Sequence, residues 1–186
     1  VDWGTLVATV SGGVIAISGT VLAEKLRRRH ENDRSSETRR RAVYVEFITA
    51  AGVCHARLRQ IAQDPDAEAD CEAAARLALT DAGIHEVRER LYIDATTEIA
   101  GAGQAMFEQL RALQRVVAAG ARHTSPAFHD VYHPYLDAVW AYRVAVRQEL
   151  EDGSFSPTAF GWEAWDGRDR CAVCRAGRDE ALVAEA

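Results

Sequence analysis

WGTLVATVSGGVIAISGTVL, residues 3–22, runs for twenty residues without a charged side chain, and Lys25, Arg27, Arg28 and Arg29 follow it almost at once. At about 1.5 Å of rise per residue, a helix of that length covers the roughly 30 Å hydrocarbon core of a bilayer. Only a helix does so within one segment, because lipid offers the backbone no hydrogen-bond partners. Asp2 and Glu24 bracket the stretch, and Trp3 stands where an interfacial aromatic belongs. The stretch predicts a transmembrane anchor over residues 1–24. A cleaved signal peptide and a buried core helix are the alternatives. Against the former, the cations follow the apolar run, and Val21-Leu22-Ala23 lacks a small residue two places before the cleavage point.

The segment after the anchor sets the orientation. Residues 25–41 hold eight basic side chains (Lys25, Arg27, Arg28, Arg29, Arg34, Arg39, Arg40, Arg41) against Glu31, Asp33 and Glu37. The positive-inside rule then puts the N-terminus outside and the bulk of the chain in the cytoplasm, a single-pass protein of the cell membrane. Lys25, Arg27, Arg28 and Arg29 can also contact anionic lipid headgroups. Within the apolar run, Gly4, Ala8, Gly12, Ala16 and Thr20 recur at four-residue spacing. Such a groove of small side chains lets two helix backbones approach closely, so a homodimer through the membrane helix is expected.

Those eight basic residues are part of 22 in the chain of 186, and the three acidic ones part of 28. Everything outside residues 25–41 therefore carries 14 basic against 25 acidic side chains, a balance of −11. An acidic body excludes nucleic acid as a partner, since phosphate binding needs cationic surface. Cys54, Cys71, Cys171 and Cys174 all fall on the cytoplasmic side of this topology and are expected to stay reduced.

Past residue 41 the apolar residues step by three and four, the period of a helix, and no strand alternation is sustained. The first stripe is Tyr44, Phe47, Ala51, Cys54, Leu58, Ile61; Pro65 stops it, with Asp64 placed to cap the next helix. The second is Ala73, Leu77, Thr80, Ile84, Val87, Leu91, with Gly83 as a weak point, and the third is Ile99, Gly103, Met106, Leu110, Leu113, Val117, closed by Gly120. Asp94 or Thr96 can cap that third helix. The fourth stripe begins after Pro134 with Tyr135, Val139, Tyr142, Val146 and Leu150. No stripe is stable alone, and short connections favour antiparallel neighbours. The prediction is all-α: the N-terminal transmembrane helix, a basic juxtamembrane segment at 25–41, an antiparallel (up-and-down) four-helix bundle at 42–151, and a flexible tail at 152–186. A long coiled-coil dimer is the rival, but three heptads interrupted by proline and glycine make a poor one.

Chemistry-bearing motifs are few. Cys171-Ala-Val-Cys174 supplies half of a tetrahedral zinc site, or a dithiol redox couple. His129 and His133 could complete a Cys₂His₂ set, but Pro134 biases His133 away from helical geometry and weakens a shared-face argument. His55 reads as a partly buried histidine satisfied by one hydrogen bond, and His123 as part of a polar loop. No Glu-x-x-His pair, phosphate-binding loop or His-Glu-x-x-His run is present, and Gly101-Ala-Gly103 reads as a packing feature.

The opening Asp2-Trp3-Gly4-Thr5-Leu6, the arginine-rich exit and the run Arg40-Arg41-Ala42-Val43-Tyr44-Val45-Glu46-Phe47 resemble a loose group of uncharacterised actinobacterial single-pass membrane proteins. The likeness is clear over residues 2–62, faint from there to about residue 150, and does not reach the Cys171 tail. It implies a single-pass anchor with a cytosolic helical domain and brings no activity with it. The sequence therefore predicts a non-catalytic membrane-anchored interaction module that recruits an unknown cytosolic protein, without a cofactor. The alternative is a metal- or redox-responsive sensor using Cys171 and Cys174, with zinc as the metal.

Overall fold

The computed structural model describes residues 3–67, 70–151, 156–160 and 171–176, giving the backbone alone for 3–24, 26, 28–30, 32, 33, 67 and 160. The described residues are predominantly helical and contain no strand. Five helices carry the fold: α1 (Trp3–Gln63), α2 (Cys71–Asp81), α3 (Ile84–Asp94), α4 (Thr97–Ala118) and α5 (Pro126–Glu151). The chain divides into two compact units, Val1–Arg40 and Arg41–Ala186.

In the first unit Lys25, Arg27, Glu31 and Arg34 are exposed. Arg27 Nε donates to Glu31 Oε1 at 2.9 Å, one helical turn on. The small-residue groove (Gly4, Ala8, Gly12, Ala16, Thr20) and two of the lipid-contact cations, Arg28 and Arg29, fall on side chains outside the described residues. Among the described residues, no helix is long and apolar enough to cross a membrane.

The second unit holds the core. Tyr44, Phe47, Ala51, Cys54, Leu58 and Ile61 of α1 are all buried, as are Ile99, Gly103, Met106, Leu110, Leu113 and Val117 of α4. α4 packs along α5 and also touches α2 and α3. Gly103 explains how they come so close. A Cβ there would overlap Leu91 Cδ2 of α3 and press on Phe47 of α1, with Tyr142 of α5 in contact behind. Gly101, on the outer face, has open space around it. Two phenols fasten α5 to α1 by donating to main-chain carbonyls, Tyr142 to Tyr44 O at 3.2 Å and Tyr135 to Ala51 O at 3.3 Å. The Tyr44 hydroxyl donates in turn to Glu149 at 2.7 Å, and Thr96 donates to the other oxygen of the same carboxylate.

The predicted second stripe needs correction. The chain breaks at Gly83 (φ 61°), a left-handed conformation that glycine takes without a Cβ clash, and two eleven-residue helices replace one. Ile84, Val87 and Leu91 face inward as expected, but α2 buries Ala75, Ala78 and Leu79, leaving Leu77 55% exposed and Thr80 outside. The left-handed turn at Gly83 resets the phase of the apolar period between α2 and α3. The cap of α2 also differs. Asp70, not Asp64, accepts from Ala73 N–H at 2.9 Å, and Pro65 opens a short 3-10 turn. Gly120 ends α4 as expected. Its φ of 80° goes with bonds from Gly120 N–H to Val117 O and from Ala121 N–H to Val116 O, the paired pattern of a Schellman stop.

Candidate metal centre

The largest departure from the sequence reading lies at the start of α5. That helix begins at Pro126, well before the start predicted after Pro134, and Pro134 sits inside it. Ser125 caps the end, its hydroxyl accepting from Phe128 N–H at 3.3 Å and its carbonyl from His129 N–H at 3.2 Å. Proline at the first helical position loses nothing there, because that N–H has no intrahelical partner in any helix. The connection before it is tied down, with His123 N–H donating to Ala62 O at the end of α1 at 2.8 Å. Packing of Phe128, Tyr135, Val139 and Tyr142 into the core then holds the helix through Pro134, which lacks the N–H for one helical bond.

With the helix intact, His129 and His133 stand four residues apart on one face, 8% and 4% exposed. Cys171 and Cys174 lie against them. Cys171 precedes a helical turn at 172–176, in which Arg175 N–H donates to Cys171 O at 3.0 Å, so both thiols point the same way. Cys171 Sγ is 3.4 Å from His129 Nδ1, and Cys174 Sγ is 3.3 Å from His133 Nε2. The two ring nitrogens are 3.4 Å apart. All four atoms lie within 4.8 Å of one another.

Those edges can be compared with a tetrahedral zinc ion. Zn–N bonds of about 2.0–2.1 Å and Zn–S bonds of about 2.3 Å imply edges of roughly 3.3–3.4 Å between nitrogens and roughly 3.5–3.6 Å between nitrogen and sulfur. The nitrogen edge matches, and the mixed edges are within about 0.3 Å. Two thiol protons would satisfy the two mixed edges one by one and leave the nitrogen pair unbridged. Each nitrogen faces the other nitrogen and one thiol, and one proton satisfies a single edge. A cation satisfies four lone pairs together. The donor set, two imidazoles and two thiolates, is the borderline-soft combination that zinc takes in closed sites.

Electrostatics favour the ligand form. Burial holds the His129 imidazole below its ordinary pKa; the nearby His123 ring acts in the same direction, while the His123 backbone and the Asp130 carboxylate oppose it. A neutral ring leaves a lone pair for a metal. The Tyr132 ring sits edge-on to both imidazoles, with centroids 6.2 and 5.6 Å away, and stacks on Phe128 at 5.3 Å. This aromatic wall limits the rotamers open to the histidines.

Of the predicted site residues, Cys171 and Cys174 are therefore joined by His129 and His133. The Ser125-Pro126 pair was the signal that would have placed the helix start ahead of both histidines. His55 is half-buried between Tyr132 and Tyr135, its centroid 5.6 and 5.0 Å from theirs, and stands outside the four-ligand set. A groove of about 270 Å³ between α1 and α5 lies toward the other end of α5, against Tyr44, Val146 and Leu150, and shares no residue with the cluster. No family model, curated protein or solved structure matches the chain.

Proposed function

We propose that this chain is a membrane-anchored helical interaction module whose C-terminal segment is locked to the helical body by one zinc ion. The ligands are His129 Nδ1, His133 Nε2, and the Cys171 and Cys174 sulfurs. The observation that carries the reading is the set of edges from 3.3 to 3.4 Å among imidazole nitrogens and thiol sulfurs supplied by chain segments some forty residues apart. Four protein ligands leave no open coordination position, which supports a structural or sensing role over a catalytic one.

The interaction and sensing readings then become one device. Residues 1–24 anchor the chain as a single transmembrane helix, paired with a second copy through Gly4, Ala8, Gly12, Ala16 and Thr20. Lys25, Arg27, Arg28 and Arg29 rest at the anionic inner leaflet. Residues 42–151 form an antiparallel up-and-down bundle in the cytoplasm. Metal occupancy decides whether residues 171–176 are held at α5 or offered to a cytosolic partner.

Metal analysis of the purified full chain tests the central claim. About one zinc per chain is expected, with less than about 0.2 in Cys171→Ser or His129→Ala. Cobalt substitution should give the thiolate charge-transfer and intense visible bands of a tetrahedral site. Wild-type chain that binds no zinc, or variants that keep it, would refute the centre. Membrane attachment is tested separately by alkaline extraction, with full-length chain retained in the pellet and a chain starting at Lys25 released.

A further inference from the structure

Resting on the zinc reading, we propose that the centre is a redox-gated latch: a two-electron oxidant of the peroxide class joins Cys171 to Cys174 and expels the metal. The four cysteines are free thiols in very different settings. Cys54 is sealed in the core, and burial pushes its thiol up to about 12. Cys71 is half-buried with its thiol donating to Pro65 O at 3.2 Å. Among the described residues, neither belongs to the group that brings Cys171 and Cys174 together. Cys171 and Cys174 differ on both counts. They are half-buried, flanked by the exposed Ala172 and Val173, and their sulfurs are within 4.8 Å of each other.

A thiolate is the nucleophile toward peroxide, and metal ligation keeps both sulfurs in that form. One thiolate attacks a peroxide oxygen, the O–O bond breaks, and a sulfenic acid and hydroxide result. The second thiolate attacks that sulfur, the S–O bond breaks, and a disulfide forms with loss of a second hydroxide. Two electrons pass from the two sulfurs to the peroxide, and the zinc ion leaves with its charge unchanged. The disulfide sulfurs no longer carry the charge that bound the metal. His129 and His133 alone make half a site, so the metal dissociates and residues 171–176 lose their tether. A thiol reductant restores the two cysteine thiolates by disulfide exchange, itself ending as a disulfide, and added zinc then rebinds.

The probe is hydrogen peroxide, added to zinc-loaded full-length chain beside a metallochromic dye, with peptide mapping of the products. The expected result is release of about one zinc per chain, a Cys171–Cys174 disulfide, and reduced Cys54 and Cys71. Reductant plus zinc should restore the bound metal. Zinc that stays bound under peroxide overturns the latch. Its loss with Cys171 or Cys174 over-oxidised to sulfinic acid, or with a disulfide to Cys54 or Cys71, also overturns it. A chain holding no zinc before peroxide is added refutes the metal centre instead, so the two failures are distinct. Cys71→Ala should release zinc as the wild type does, which excludes that thiol as the responsive one.

Discussion

At Gly103 four helices meet through apolar groups, with Phe47, Leu91 and Tyr142 filling the space where a Cβ would stand. At His129 one helix meets a C-terminal segment through four groups that each carry a lone pair. The first junction needs only exclusion of water, and every contact in it stabilises the others. The second gathers polar groups in a largely buried corner, an arrangement that costs free energy unless something is shared among them. One region is thus a reason for the fold to exist, and the other a place where the fold can be acted upon. Independence of the two regions is the testable content of that contrast.

Removing the proposed zinc should separate them most sharply. Chelation of zinc-loaded chain is expected to speed tryptic cleavage at Arg168, Arg170 and Arg175 by roughly tenfold or more, as local opening governs such sites. Cleavage within residues 42–151 should be unaffected. Simultaneous loss of the core fragment would show that the corner supports the core and would dissolve the comparison.

The reverse perturbation is Phe47→Ala. Phe47 is fully buried, its ring centroid 5.4 Å from that of Tyr142. Truncation should cost about 3–5 kcal/mol in chemical denaturation. Folded protein should keep about one zinc per chain, because Phe47 is none of the four proposed ligands. Gly103→Ala asks less of the same junction. Overpacking against Leu91 costs about 1–3 kcal/mol, partly offset by roughly 0.5–1 kcal/mol from better helix propensity. A net loss of about 1–2 kcal/mol is expected. Gly101→Ala, with open space at its Cβ, should gain about 0.5–1 kcal/mol. Equal effects at the two glycines would mean that helix propensity governs, and the tight crossing does not.

The two regions were unequally legible in the sequence. The stripes of α1 and α4 were read residue by residue because each helix is unbroken and its burial follows one period. α2 was misread because Gly83 lets the chain restart in a new phase, and periodicity carries no information across such a reset. The core residues were therefore mostly visible. The corner was visible only in halves. Cys171 and Cys174 declare themselves by spacing, but His129 and His133 share a face only if the helix persists through Pro134. Local rules argue against that, and burial of Phe128 and Tyr135 on either side overrides them. The joining of the halves is a tertiary fact, set by where residues 171–176 come to rest.

Between the two regions stands His55, and it gives the finest discrimination. Its ring lies between Tyr132 and Tyr135, and its Nε2 is buried without a hydrogen-bond partner among the described residues. Burial, with the Arg59 guanidinium adding to it, lowers its pKa from the ordinary 6.5 to about 4. The unfolded chain therefore takes up this proton near pH 6.5 while the folded chain resists it until about pH 4. Full stability is present above pH 6.5 and is lost progressively down to pH 4, where both states are protonated. The shift corresponds to about 3 kcal/mol if undiminished, and partial exposure of the ring reduces this to about 1–2 kcal/mol. His55→Phe keeps the aromatic sandwich and removes the proton site. Its stability should fall less steeply than that of the wild type between pH 6.5 and 4, with matching values at pH 7.5 after correction for the added apolar burial. Parallel curves would show that His55 is protonated in the folded chain as readily as in the unfolded one. Urea titrations of the zinc-free chain at four or five pH values suffice, since the apo form removes proton competition at the metal ligands from the comparison.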